Sequence, residues 1–265
     1  MTPGEIRELL RRHGVRPSKA LGQNFLVDEN TARRIVRLAE LCPGERVVEV
    51  GPGVGSLTVS LADEGVHVCA IEIDRHLLPI LEEVVAGRDV EVVHDDARKV
   101  DWKTRLGSKP WVMVANLPYN VAATVVVRAL EEAPMIERML VMVQREVGER
   151  LAAGAGDDAY GALSVKVAYY ADAKVVGTVS PNVFEPKPNV ESALVRLVRH
   201  ATPPVAADAD RIFDLVRAGF ATRRKTLRNT LAGRVDADGF ARANVDPQAR
   251  AETLSLADWA RLADA

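Results

Sequence analysis

Short apolar runs at residues 46–50, 67–71, 90–93, 111–115 and 139–143 are separated by helical windows near 56–63, 75–86, 121–132 and 144–153. The runs are close to continuous rather than alternating, as in strands covered on both faces, and a helix between two strands lets both point the same way. This order predicts an α/β fold with a mostly parallel sheet between two helical layers. At 265 residues the chain has length for such a domain and a smaller companion.

Around that centre the punctuation is readable. Thr2, Pro3 and Glu5 form a capping box ahead of a helix over residues 3–13, and Gly14 stops it. Asp28 can cap a second helix containing Ile35, Val36, Leu38 and Ala39. Two further strand candidates, 173–179 and 192–198, have no convincing helix between them and are expected to close the sheet as a hairpin-like antiparallel edge. The Ala- and Pro-rich stretch 201–209 reads as a linker, followed by short helices without strands. The expected domains are therefore residues 1–200 and 201–265.

Composition narrows the function classes. The longest apolar run, 121–127, is too short to span a membrane, and the stretch from Met1 to Arg12 carries both charge signs where a signal peptide needs an apolar core. A cytoplasmic protein without membrane attachment is expected. Cys42 and Cys69 have neither metal-ligand nor redox spacing, and no metal site is expected. The net charge of −2 gives weak overall attraction to nucleic acid. Arg217, Arg223, Arg224, Lys225 and Arg228 nevertheless cluster, and a local basic patch can hold phosphates on an acidic protein.

The chemistry-bearing residues follow the strands. Gly51, Gly53 and Gly55 lie between the first strand and a helix, where missing side chains permit a tight turn and close approach of a ligand to backbone N–H groups. Ser56 stands where a nicotinamide-binding GxGxxG pattern needs glycine, which disfavours an oxidoreductase. Glu72 ends the second strand, where a carboxylate can accept from two ribose hydroxyls, and Asp96 follows the third, where it can meet an adenine amino group. Either acid alone could be a solvated loop residue. Their order on consecutive strand ends points to an adenosyl-containing cofactor. Asn116, Leu117, Pro118 and Tyr119 follow the fourth strand. An amide can accept from an exocyclic amine, the Leu117 carbonyl can take its second N–H, and the tyrosine ring can stack on a base.

Residues 22–28 (GQNFLVD), 49–58 (EVGPGVGSLT), 71–74 (IEID), Asp96 with Ala97, 116–120 (NLPYN), 144–151 (QREVGERL) and 184–195 resemble the ribosomal RNA adenine N6 dimethyltransferases over nearly the whole chain. The resemblance implies a class I S-adenosylmethionine-dependent methyltransferase fold, Rossmann-like with a seven-stranded sheet, plus a small C-terminal all-helical RNA-binding domain. Residues 218–229 (AGFATRRKTLRN) resemble the branch acting on small-subunit RNA. By this resemblance Asn24, Leu26, Gly51, Gly53, Glu72, Asp96 and Asn116 hold or frame S-adenosylmethionine. Asn116, Leu117 and Tyr119 present the adenine, and Phe184 is its second stacking surface. The implied substrate is a pair of adjacent adenosines near the 3′ end of 16S ribosomal RNA in an immature small subunit, met by a monomeric enzyme. Ala162, Glu185 and Lys187 depart from the family pattern, which carries Arg, Thr and Pro in those segments. An assembly factor with secondary methylation and a large-subunit relative are the alternatives, the latter disfavoured by residues 223–229.

The basic segment has its own constraint. Phe213, Val216, Phe220, Leu227 and Leu231 form an apolar stripe if the helix is continuous, yet helical spacing then puts Arg224 within it. A buried unpaired charge is costly. A break near Thr222 is therefore expected, with Thr222 capping a second helix and Arg223, Arg224, Lys225 and Arg228 facing RNA phosphates.

Overall fold

The computed structural model describes every residue except Lys19 and Arg223. Its first half runs α1 (Pro3–Arg12), β1 (Phe25–Leu26), α2 (Glu29–Ala39), β2 (Arg46–Val50), α3 (Ser56–Ala62), β3 (His67–Glu72), α4 (Leu78–Val84), β4 (Val90–His94), α5 (Trp102–Leu106) and β5 (Trp111–Asn116). Then follow α6 (Ala122–Glu132), β6 (Ile136–Gln144), α7 (Arg145–Ala152), α8 (Ala162–Tyr170), β7 (Ala171–Val179), β8 (Phe184–Glu185) and β9 (Ser192–Arg199). The remainder is α9 (Ala209–Phe220), α10 (Leu227–Thr230), α11 (Ala237–Ala243) and α12 (Leu256–Asp264).

The chain divides into two compact units, residues 1–148 with 174–199 and residues 149–173 with 200–265. In the first, seven strands lie in the order β4-β3-β2-β5-β6-β9-β7. The β2–β3, β2–β5, β3–β4 and β5–β6 pairs are parallel, and β9 pairs antiparallel with β6. Starting from central β2 and stepping outward one way to β3 and β4, then back to β5, the order reverses beside β2. In open α/β sheets ligands gather at such a reversal, at the carboxyl ends of the strands. Val47, Val68, Val112, Val114, Leu140 and Met142 join one apolar core with Ile35 and Val36 of α2, which explains the continuous apolar runs. Burying one such side chain contributes roughly 1.5–3 kcal/mol.

The ends of the elements obey the local signals. Thr2 and Glu5 complete their capping box, and Asp28 Oδ2 accepts the Thr31 N–H at 2.7 Å. The last two large strands do lie side by side at the sheet edge, but their connection is no tight hairpin. It holds a 3-10 turn over Pro181–Val183 and β8, which pairs antiparallel with β1 in a separate two-stranded sheet.

In the second unit Tyr160, Val165 and Tyr169 share an apolar core with Phe213, Val216, Leu227, Leu231 and Trp259. A break falls at 199/200 as expected, but the second unit also takes in Glu149–Ala173, which the expected domain 1–200 had included. Residues 149–173 group with the C-terminal helices because their aromatic side chains complete that core, and the Tyr160 hydroxyl donates to the Leu254 carbonyl at 2.7 Å. The chain does break after α9, as the buried charge demanded, but Thr222 is not the cap. Thr226 occupies the N-cap position of α10. The Ala249 and Pro247 carbonyls accept the Leu227 and Arg228 N–H groups at 2.8 and 2.9 Å, so the helix starts where the loop offers acceptors.

Candidate active site

A cavity of about 310 Å³ opens at the carboxyl edge of the parallel strands. Its wall comes from the first unit alone: the loop 20–26, the turn after β2, the ends of β3 and β4, and residues 116–121 after β5.

The glycine turn is shaped by what presses on it. Gly51 and Gly53 have φ of 69° and 60°, which side chains rarely adopt. A Cβ on Gly53 would lie 2.9 Å from the Phe25 ring, and one on Gly51 would lie 3.2 Å from Pro118. The turn thus brings together Phe25, Gly51, Gly53 and Pro118 from three separate sequence motifs. The Gly53 N–H is not left for a ligand, because it donates to Glu72 Oε2 at 3.0 Å. Glu72 Oε1 accepts the Asp74 N–H at 2.9 Å. Burial raises the Glu72 pKa, while the Asp74 and Gly53 N–H groups pull the other way. Each oxygen retains a lone pair for a hydroxyl. Beside it Ile73 is 39% exposed on the cavity wall, an apolar surface for a purine.

Asp96 lies at the rim with Arg98 bound to both its oxygens, and those bonds hold its carboxyl below the usual range. Asn24 and Leu26 line the cavity as expected. The Asn116 Nδ2 donates to the Asn24 carbonyl at 3.3 Å, which leaves Oδ1 as the free acceptor. Leu117 is buried on the wall with its N–H given to the Met142 carbonyl at 3.0 Å, so its carbonyl is the backbone group available to a ligand. Tyr119 is half-buried, and its hydroxyl lies 2.8 Å from Ser192 Oγ.

Phe184 departs from expectation. It is 4% exposed, pairs with Leu26 across the small sheet and joins the apolar core instead of the cavity wall. In this arrangement its ring has no open face for a base. Arg223 lies outside the described residues. Arg224, Lys225 and Arg228 are exposed in the second unit, and none forms an ion pair with a described residue. Ser192, Glu49, Ile73 and Arg98 carried no individual sequence assignment. Ser192 has no local signal because its partner is 73 positions away. Glu49 is the last acid before the glycine turn, and it is 1% exposed on the cavity wall. No group of three or more metal-binding side chains occurs among the described residues.

A model of the ribosomal RNA adenine dimethylases matches residues 15–265. The chain belongs to that family. It is an S-adenosylmethionine-dependent adenine dimethyltransferase of ribosomal RNA, with the class I methyltransferase fold. The ribosomal RNA small subunit methyltransferase A of Leifsonia xyli is 50% identical over 98% of this chain and 96% of its own. That of Thermobifida fusca is 47% identical over 100% of this chain and 95% of its own. Among solved structures, the 23S rRNA methyltransferase ErmE superposes with TM-score 0.72 at 29% identity, covering 91% of this chain and 98% of its own. A dimethyladenosine transferase from Plasmodium falciparum shares the fold with TM-score 0.77 at 23% identity, over 90% and 95% of the two chains.

The cavity suits the cofactor of the family. Glu72 offers a buried acceptor for a ribose diol, Ile73 an apolar face, Asp96 a rim acceptor, and Glu49 Oε2 is a buried oxygen without a partner among the described residues.

Proposed function

We propose that this chain dimethylates the N6 amino groups of two adjacent adenosines near the 3′ end of 16S ribosomal RNA in an immature small subunit, acting as a cytoplasmic monomer. The observation that carries the reading is the fixed amide of Asn116. With its N–H side held by Asn24, Oδ1 faces the cavity as an acceptor for the target amine.

The exocyclic nitrogen of adenine is a poor nucleophile because its lone pair is delocalised into the ring. Hydrogen bonds from its two N–H groups to Asn116 Oδ1 and the Leu117 carbonyl orient that lone pair, and positioning supplies most of the rate. S-adenosylmethionine, bound by Glu72, Asp96 and the glycine turn, supplies an electrophilic methyl group on a cationic sulfur. The N–H of the alkylated amine becomes acidic and its proton passes to water, so no strong base is needed before attack. Among the described residues no histidine lines the cavity.

The target base must leave its stack at a cost of a few kcal/mol, and the Tyr119 ring offsets roughly 1–3 kcal/mol of it. Ser192 holds that ring by its hydroxyl. Arg224, Lys225 and Arg228, with Arg223 by sequence, hold RNA phosphates. Incubating the protein with labelled S-adenosylmethionine and undermethylated small or large subunits tests the reading. Label in dimethyladenosine of small-subunit RNA is expected, and label in large-subunit RNA alone would overturn it.

A further inference from the structure

The acids on the cavity wall are answered unevenly. Glu72 accepts two backbone N–H groups, Asp95 accepts the Asp96 N–H at 2.7 Å, and Asp96 holds Arg98. Glu49 is the most deeply placed of them, and its Oε2 has no hydrogen-bond partner among the described residues. Among the described residues, the groups around it supply no positive charge. Glu72 on β3 is an acid whose field reaches it, α3 presents Ser56 and Thr58, β5 ends in Asn116, and the loop 20–26 brings Gln23 and Asn24 to the wall. Arg98, the cation among the described lining residues, is committed to Asp96.

A carboxylate in that position would be an unpaired buried charge, so the group keeps its proton instead. Burial first, and then the Glu72 charge, push the Glu49 pKa up to about 8, while the Thr58 hydroxyl, short of a full hydrogen bond, works the other way. Near neutral pH the empty cavity therefore presents a neutral acid. The methyl donor is a net cation, because its ammonium and carboxylate cancel and its sulfonium remains. The demethylated product, S-adenosylhomocysteine, is net neutral.

We propose that Glu49 senses the charge of the cofactor, releasing its proton to solvent when the cationic donor enters the cavity and regaining one when the neutral product takes its place. The inference rests on the cavity being the S-adenosylmethionine site. Two methyl transfers require the spent product to be exchanged for fresh donor, and a wall that becomes anionic only for the cation favours that exchange.

The sign follows from linkage. A group protonated in the free protein and ionised in the complex makes donor affinity rise about tenfold per pH unit below about pH 8 and level off above it. Product affinity stays nearly flat over the same range.

Titration calorimetry of the full chain near pH 7, in buffers of different ionisation heat, reads the proton directly. The wild type should release about one proton on binding the donor and clearly less on binding the product. E49Q should bind the donor without release and with affinity independent of pH. Donor binding without proton release in the wild type overturns the proposal, as does release persisting in E49Q, which would assign the proton to another acid such as Glu72. If neither donor nor product binds the wild type, the cofactor reading of the cavity itself has failed. Should E49Q not fold, wild-type affinities decide: a steep donor profile beside a flat product profile supports the proposal, and parallel profiles overturn it.

Discussion

The cavity wall of the first unit and the basic segment of the second use polar residues in opposite ways. At the cavity, Glu49 and Glu72 are almost fully buried, and Asn116 and Tyr119 each have one atom fixed by a distant residue. In the basic segment Arg224, Lys225 and Arg228 stand exposed, while Leu227 and Leu231 beneath them are fully buried. Chemistry that depends on a single atom's direction needs fixed groups, because small misplacements cost large factors in rate. Phosphate binding needs charge near a surface and tolerates motion. The comparison therefore predicts steep, specific losses from single changes in the cavity and shallow, salt-dependent losses from the segment.

The steepest should come from Asn116→Ala. Turnover on undermethylated small subunits is expected to fall at least about 100-fold with a much smaller loss of RNA binding, measured by rate and by filter binding. Next is Glu72→Ala, whose missing charge-assisted bonds should weaken S-adenosylmethionine binding by on the order of 1.5–3 kcal/mol, read by calorimetry. Unchanged affinity would remove Glu72 from the site.

These two residues were legible in the sequence because their signals are local. A strand, its end and the residue that closes it lie within a few positions of one another. What holds them was not legible. Asn24 and Asn116 are 92 positions apart, Tyr119 and Ser192 are 73 apart, and no short pattern links such pairs. Helix α8 escaped for a different reason. Ala162, Leu163, Val165, Val167, Ala168 and Tyr169 distribute apolar side chains around the helix, so no one-sided stripe marks it. Missing it also left residues 149–173 in the first domain, although that helix belongs with the C-terminal core. The break after α9 was readable from the cost of burying Arg224, whereas the choice of Thr226 over Thr222 as cap depends on carbonyls of residues 247 and 249.

Smaller effects sharpen the contrast. Ser192→Ala and Tyr119→Phe each remove the same hydroxyl pair, so each should cost about 1 kcal/mol in transition-state stabilisation and the double variant no more than either alone. Additive losses would mean that Ser192 does not act through Tyr119. The gentlest change is Arg224, Lys225 and Arg228 to Gln together. For every phosphate left without its cation, the slope of log affinity against log salt should fall by about 0.7–0.9, with cofactor affinity unchanged. An unmoved slope would mean a merely solvated surface.

One measurement places both regions on a single scale. Single-turnover methyl transfer, with S-adenosylmethionine and undermethylated small subunits both saturating, should proceed near the wild-type rate in the triple Gln variant and at least about 100-fold more slowly in Asn116→Ala. A near wild-type rate in Asn116→Ala would contradict the assignment of methyl transfer to the fixed amide.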